Sequence, residues 1–359
     1  MTSDTDYKFE GWVAHDASSV DGNMKWQTYT PKPFTASDID IKITHCGVCG
    51  TDLSSLRSGW KPADYPIVVG HEIVGHVVRV GSNVTDFQPG DRVGVGAQCK
   101  SCLQPGCRPC NNDMEQHCPD EFTTTYDARY KEDGSKAYGG YARYWRGPAS
   151  FVFKIPGAIP SEIAAPLLCG GLTVYAPLTD NGAGPGKRVG IAGFGGLGHL
   201  GVLFAKALGC EKVVAISRSA SKREDALRMG ADEYIATADD EQWHTKHARS
   251  LDLIISTISG ADFPLDKYLS LLDVKGNLIQ VGAPEDPMPS FSAFSLLVGD
   301  RKVGGSTIGS RKQAREMLEL AAKTNLRAWV QVRPMSEANQ VVVDMDKGNA
   351  RYRYVLQNE

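Results

Sequence analysis

No unbroken apolar run in the 359-residue chain reaches the ~18 residues that suggest a membrane-spanning helix. It has no excess of one charge either: 39 Lys and Arg stand against 42 Asp and Glu, for a net charge of −3. No long basic run breaks that balance, so neither nucleic acid nor a membrane is an expected partner. The first residues, Met1-Thr-Ser-Asp-Thr-Asp, lack the apolar core of a secretory signal, and a cytoplasmic location is the expectation. Internal repeats and low-complexity segments are absent too. What is plentiful is cysteine. Five of the nine crowd into residues 99–118. In a reducing compartment thiolate metal ligands are the better reading than a disulfide framework. A chain of this length, 42% hydrophobic and 23% charged, suits two domains rather than one core.

Hydrophobic periodicity separates the two. Ile39-Asp-Ile41-Lys-Ile43 alternates as a half-buried strand does, Ile73–Val80 reads as a second strand and Gly90–Val95 as a third. This part is β-rich, with loops that carry the cysteines. A helix is expected from Ser161, with Ser161 as its cap. From Arg188 the pattern alternates. Strands are expected at Arg188–Ala192, Lys212–Ser217, Glu233–Ala236, Leu251–Ser256 and Asn277–Val281. Helices are expected at Leu197–Leu208, Ser221–Met229 and Phe263–Leu272. Alternation of this kind implies a parallel sheet with crossover helices. Lys312–Thr324 reads as a further helix. The tail Arg351-Tyr-Arg-Tyr-Val-Leu alternates and is expected to return to the first domain. The expected α/β architecture is therefore a nucleotide-binding domain, residues 161–304, inserted into a β-rich domain of residues 1–160 and 305–359.

Gly193-Phe-Gly195-Gly196-Leu197-Gly198 follows a predicted strand and opens a predicted helix. That is the setting in which a Gly-x-Gly-x-x-Gly loop binds a dinucleotide. The first glycine permits a tight turn, the second lets the backbone approach a pyrophosphate, and the third lets helix and strand pack closely. A site for NAD usually places an acid on the ribose at the end of the second strand. Here that strand ends Ser217-Arg218-Ser219, followed by Lys222-Arg223. Ser217, Arg218 and Lys222 suit a 2′-phosphate, and NADP(H) is the expected cofactor. Arg223 reads as a solvated charge at the helix start.

Cys102, Cys107, Cys110 and Cys118 can close a tetrahedral structural zinc site; Cys99 is a fifth candidate, and a redox cluster competes with the metal reading. A second set, Cys49, His71 and Cys169, offers two thiolates and an imidazole, with the fourth place open to water or substrate. Glu72 adjoins His71 and could reach the metal during ligand exchange. Asp52 is a candidate acceptor for the His71 ring. Cys46 and Cys210 read as core residues. Trp60 reads equally as a substrate-pocket wall or a rim tryptophan.

These motifs carry a resemblance over essentially the whole length. The marks are Cys46-Gly-Val-Cys49-Gly-Thr51-Asp52, Gly70-His71-Glu72-Ile-Val-Gly75, Gly90-Asp-Arg-Val-Gly94, Ala165-Pro-Leu-Leu-Cys169-Gly-Gly-Leu-Thr173-Val-Tyr, the glycine loop, Ser217-Arg218-Ser219 and Arg351-Tyr-Arg-Tyr354. The chain resembles the zinc-dependent medium-chain dehydrogenase/reductases, in particular the cinnamyl alcohol dehydrogenase family and its fungal, NADP-dependent, broad-specificity members. The resemblance implies a Rossmann domain inserted in a GroES-like catalytic domain, and two zinc ions. Cys49, His71 and Cys169 would hold the catalytic zinc, with Glu72 as exchange ligand. Thr51 would contact the substrate oxygen, and Thr173 would lie near the nicotinamide. A homodimer built through the nucleotide domains is also implied. Two departures stand out. Gln104-Pro-Gly106 lengthens the first cysteine interval, and Ser54 stands where the family often has a relay histidine.

The expected activity is NADP(H)-dependent interconversion of aromatic, allylic or medium-chain aldehydes with primary alcohols. Rival readings are a polyol dehydrogenase, a specialised reductase of a conjugated or imine bond, and a non-catalytic zinc- and nucleotide-binding protein.

Overall fold

A computed structural model describes residues 5–260 and 263–359. The chain forms two compact units. One runs to Cys169 and includes Ser310–Ala322 and Trp329–Glu359; the other comprises Gly170–Gly309 and Lys323–Ala328. The sequence pattern places the exchange at 160/161, before the helix Ser161–Pro166. That helix remains with the first unit, where Arg92 donates to Ser161 Oγ at 3.3 Å. Ser161 is thus the first helical residue and not the cap; Pro160 precedes it, without a side-chain capping bond.

The first unit is organised by a seven-stranded sheet. Its path runs Val330–Pro334, Arg353–Gln357, Asp38–Gly47, Ile73–Val80, Arg92–Val95 and Val152–Lys154, with Tyr144–Pro148 also pairing Asp38–Gly47. The C-terminal strand lies antiparallel to Asp38–Gly47, Val355 opposite Gly47. The expected return of the tail therefore lands at the end of the strand that leads into Cys49. Ile39, Ile41 and Ile43 pack into the core of this unit. The alternation suggests a solvated opposite face, but Asp38 and Asp40 are buried as well. Asp40 accepts from Arg146 Nε and Nη2, both at 2.7 Å, and Asp38 pairs with Lys32. Period-2 patterning reports chemistry on each face, and a paired charge can be buried as an isoleucine is.

The second unit carries six parallel strands. In chain order they are Arg188–Ala192, Lys212–Ser217, Glu233–Ala236, Leu251–Ser256, Leu272–Gln280 and Lys302–Gly305, and across the sheet they run 3-2-1-4-5-6. That is the doubly wound order with a switch point beside the first strand. Four strands keep the bounds read from the sequence. The fifth starts earlier than expected because Leu272 pairs with Leu251 ahead of an irregularity, beyond which Asn277 pairs with Leu253. The helical run Ser161–Asp180 is 20 residues long and apolar enough to cross a membrane, yet 89% of its window is buried within the protein. Buried on all sides, it belongs to a protein interior.

Candidate metal centres and dinucleotide loop

The strand Asp38–Gly47 delivers Cys49 to the start of the helix Gly50–Leu56. Asp52, in the first turn of that helix, is fully buried and accepts from the Cys49 backbone N–H at 2.9 Å. The same carboxylate accepts from Gly70 N at 3.1 Å, from His71 Nδ1 at 3.0 Å and from the Tyr141 hydroxyl at 3.3 Å. Nδ1 is thereby committed to Asp52 and Nε2 is left to act as a ligand. Nε2 lies 3.0 Å from Cys169 Sγ. One potential ligand atom from each of Cys49, His71, Glu72 and Cys169 falls within a group no wider than 4.8 Å, and all four residues are buried.

The four groups share protons closely. Hydrogen bonding with Cys169 pulls the Cys49 thiol well below the usual range, assisted by His71 and Arg353 and opposed by burial. That shared bond pushes Cys169 well up. Burial works against charge on His71, but Asp52 and Cys49 outweigh it and raise the imidazole well above its ordinary value. Burial lifts the Glu72 carboxyl to about 7 against the pull of Arg353, whose guanidinium pairs with Glu72 Oε1. A divalent ion among these groups would take the place of the protons on Cys169 and His71, leaving two thiolates and a neutral imidazole as its ordinary ligands. The 3.0 Å between His71 Nε2 and Cys169 Sγ is shorter than the roughly 3.6 Å edge of a tetrahedral zinc site, so a bound ion would spread this pair slightly.

The second cluster fits more closely. Cys102 Sγ lies 3.7 Å from Cys110 Sγ and 3.3 Å from Cys118 Sγ, and Cys107 lies 3.7 Å from Cys118. Four sulfurs about 2.3 Å from a tetrahedral zinc stand ~3.8 Å apart. Cys99 is not in the group. It is buried beside the Thr124 carbonyl and the Tyr130 hydroxyl, and burial pushes its thiol up to about 12. Cys46 and Cys210 are buried outside both groups. Glu115 joins this loop to the helix Arg311–Lys323 through a 2.9 Å ion pair with Arg311 Nε.

In the second unit Gly193 has φ of +89° and donates its N–H to Ile216 O at 2.8 Å. A Cβ on Gly198 would collide with the Gly193 carbonyl, so the helix Gly198–Ala207 can start this close only with glycine there. At Gly195 a Cβ would meet nothing within 4 Å. Internal packing gives no reason for glycine at that position, and the space over its backbone is open. Gly196 O accepts from His199 Nδ1 at 2.9 Å, and Leu197 directly precedes the helix. Ser217 ends its strand half-buried, and Arg218 is exposed. Lys222 Nζ reaches across to Phe194 O at 3.1 Å, which ties the cationic segment to the loop. Arg223, read as a solvated charge, donates to Tyr234 O at 3.0 Å and lies over its ring. Thr173 is buried in the helix Leu172–Asp180.

The chain is similar to known proteins over almost its whole length. Residues 35–157 match the alcohol dehydrogenase GroES-like domain, and residues 196–323 match the zinc-binding dehydrogenase domain. The NADP-dependent alcohol dehydrogenase 6 of Saccharomyces cerevisiae is 45% identical over 356 residues, covering 97% of this chain and 96% of the yeast protein. The chain belongs to the zinc-binding alcohol dehydrogenase family. Among solved structures, a cinnamyl alcohol dehydrogenase from Sorghum bicolor superposes with a TM-score of 0.92 at 36% identity, covering 98% of both chains. A Helicobacter pylori cinnamyl alcohol dehydrogenase complexed with NADP(H) gives 0.89 at 33% identity, again over 98% of both.

This family member contains partners that the sequence does not announce. Arg353 reads in the sequence only as part of the alternating tail. Its signal is Glu72: a carboxylate in a buried Gly-His-Glu run demands a cation, and the tail supplies one. Tyr141 on Asp52 has no legible signal, since any of the 13 tyrosines could have reached it. Trp60 is 43% exposed. Thr51 and Ser54 are both half-buried on the helix Gly50–Leu56.

Proposed function

We propose that this alcohol dehydrogenase interconverts aromatic, allylic or medium-chain aldehydes and their primary alcohols, with NADP(H) as cofactor. The observation that carries the reading is the convergence of Cys49, His71 and Cys169, with Asp52 holding the imidazole. The names of its relatives, an NADP-dependent alcohol dehydrogenase and cinnamyl alcohol dehydrogenases, support the substrate class and the cofactor. Cys49, His71 and Cys169 would hold one zinc, and Cys102, Cys107, Cys110 and Cys118 the other. When bound, the first ion supplies Lewis-acid polarisation of a carbonyl and NADPH supplies hydride.

The chain's own residues then have separable tasks. Asp52 fixes the His71 tautomer. Thr51, two residues after Cys49, exchanges a proton with the substrate oxygen. Ser54 can hold a water but cannot store a proton as imidazolium does. Ser217, Arg218 and Lys222 receive the 2′-phosphate, and the backbone at Gly195 admits the pyrophosphate. A second copy of the chain is the partner we assign to the apolar face of Phe294, Leu297 and Val298, which are 72%, 71% and 66% exposed. That face immediately precedes the edge strand Lys302–Gly305 in the chain. Residence in the cytoplasm accords with cysteines that serve as thiolate ligands.

The test is steady-state kcat/KM for benzaldehyde, cinnamaldehyde, hexanal and fructose with NADPH and with NADH. The proposal expects efficient turnover of the three aldehydes with NADPH and little with NADH or fructose. A preference for fructose would replace it with the polyol reading, and turnover of none of the four would refute the substrate class.

A further inference from the structure

Gly47 closes the strand Asp38–Gly47, and nothing in its own backbone calls for glycine: it is not among the residues of positive φ. Its neighbours do. A Cβ placed there would overlap Glu72 Oε2 and lie 3.0 Å from both Glu72 Cβ and Glu72 Cδ. The backbone cannot give way readily. Gly47 N donates to Glu72 O at 3.0 Å, Val48 N donates to Tyr354 O at 3.0 Å, and Gly47 sits opposite Val355 in the sheet. The missing methyl group is therefore the space that the Glu72 carboxylate occupies.

That carboxylate has one cation beside it and would have a second if a metal were bound. Oε1 is paired with Arg353, which is buried with it. The ligand atoms of Cys49, His71 and Cys169 lie in the same group with it, within 4.8 Å. Both oxygens must fit if the carboxylate is to rest on the arginine. Oε1 takes the guanidinium and Oε2 takes the room left by Gly47.

We propose that Gly47 is a positioning residue that seats Glu72 on Arg353 and so keeps it from becoming a permanent fourth ligand at the Cys49–His71–Cys169 site. The inference rests on the metal reading of that site. Filling the space with a methyl group dislodges the carboxylate while the strand is held in place. A displaced anion in a buried site then has the metal as its remaining cation. The fourth position, which an incoming oxygen ligand must take, becomes occupied.

The experiment compares the full-length protein with Gly47→Ala, loaded with zinc and, in parallel, with cobalt(II) at the catalytic site. The expected result is a folded variant that keeps its catalytic metal and shows an altered cobalt visible spectrum. Its affinity for added imidazole falls about tenfold or more, and a chelator removes its metal more slowly by a similar factor. Shortening the acid in the double variant Gly47→Ala/Glu72→Asp restores imidazole binding toward wild type. If Gly47→Ala does not fold while the double variant does, the collision with the Glu72 side chain still stands as the cause. An unchanged spectrum and imidazole affinity would overturn the proposal, as would loss of the catalytic metal from a folded Gly47→Ala. A wild-type protein unable to hold metal at Cys49, His71 and Cys169 would instead defeat the underlying metal reading.

Discussion

Asp52→Asn exchanges one carboxylate oxygen for an NH2 group at a site where four donors converge. With its amide oxygen toward Gly70 N and His71 Nδ1, the asparagine keeps those two bonds, and its NH2 faces the Cys49 N–H and the Tyr141 hydroxyl. The tyrosine hydroxyl can turn and accept. The Cys49 N–H cannot, and one buried donor without an acceptor costs about 1–3 kcal/mol. The flipped amide would leave two donors, Gly70 and His71, unmatched, so the first arrangement is the one expected. Stability should therefore drop by about 1–3 kcal/mol in chemical denaturation of the zinc-loaded protein. Loss of the negative charge behind the ring makes His71 a poorer ligand, and catalytic zinc affinity should fall by about 10–100-fold. Competition with a zinc chelator, read by elemental analysis, measures this directly. The four-cysteine site does not include Asp52 and serves as an internal control. An Asp52→Asn enzyme with wild-type catalytic zinc affinity would refute the reasoning and reduce Asp52 to a packing residue.

Cys110→Ser should lose one zinc and lower the melting temperature, with the catalytic metal retained; metal content and Tm on the same sample check this. Arg218→Ala should weaken NADPH binding about tenfold or more, the scale of a hydrogen bond to a charged group, with NADH binding nearly unchanged in fluorescence titration. Thr51→Val should reduce kcat by about 100-fold, the scale of general acid–base assistance, while Ser54→Ala costs little. Equal damage from both would make Ser54 an obligatory member of the proton path.

The nucleotide-binding half is the more legible half, for a physical reason. Buried parallel strands such as Lys212–Ser217 read as continuous apolar runs, and the glycine loop is a local device whose residues are adjacent in sequence. The metal centre is harder. Cys49 and His71 lie two residues beyond the ends of two paired strands, but Cys169 arrives from a helical segment far along the chain, and in the sequence only resemblance joins them. The Glu72–Arg353 pair is 281 residues apart in sequence, and no periodicity reports a contact of that separation. Asp38 and Asp40 mislead because alternation is read as exposure; their cations, Lys32 and Arg146, come from other segments. Gly47 is legible as one glycine among 38, and only the position of the Glu72 carboxylate gives it a purpose.

The central claim is that Cys49, His71 and Cys169 hold the metal that activates the substrate. Zinc content and NADPH-dependent reduction of cinnamaldehyde, measured together on wild type and on His71→Ala, test it most directly. The account predicts two zinc ions per chain and turnover in the wild type. It predicts one zinc, an intact fold by circular dichroism and no measurable turnover in the variant. A folded His71→Ala protein that kept both zinc ions, or kept its activity, would contradict it.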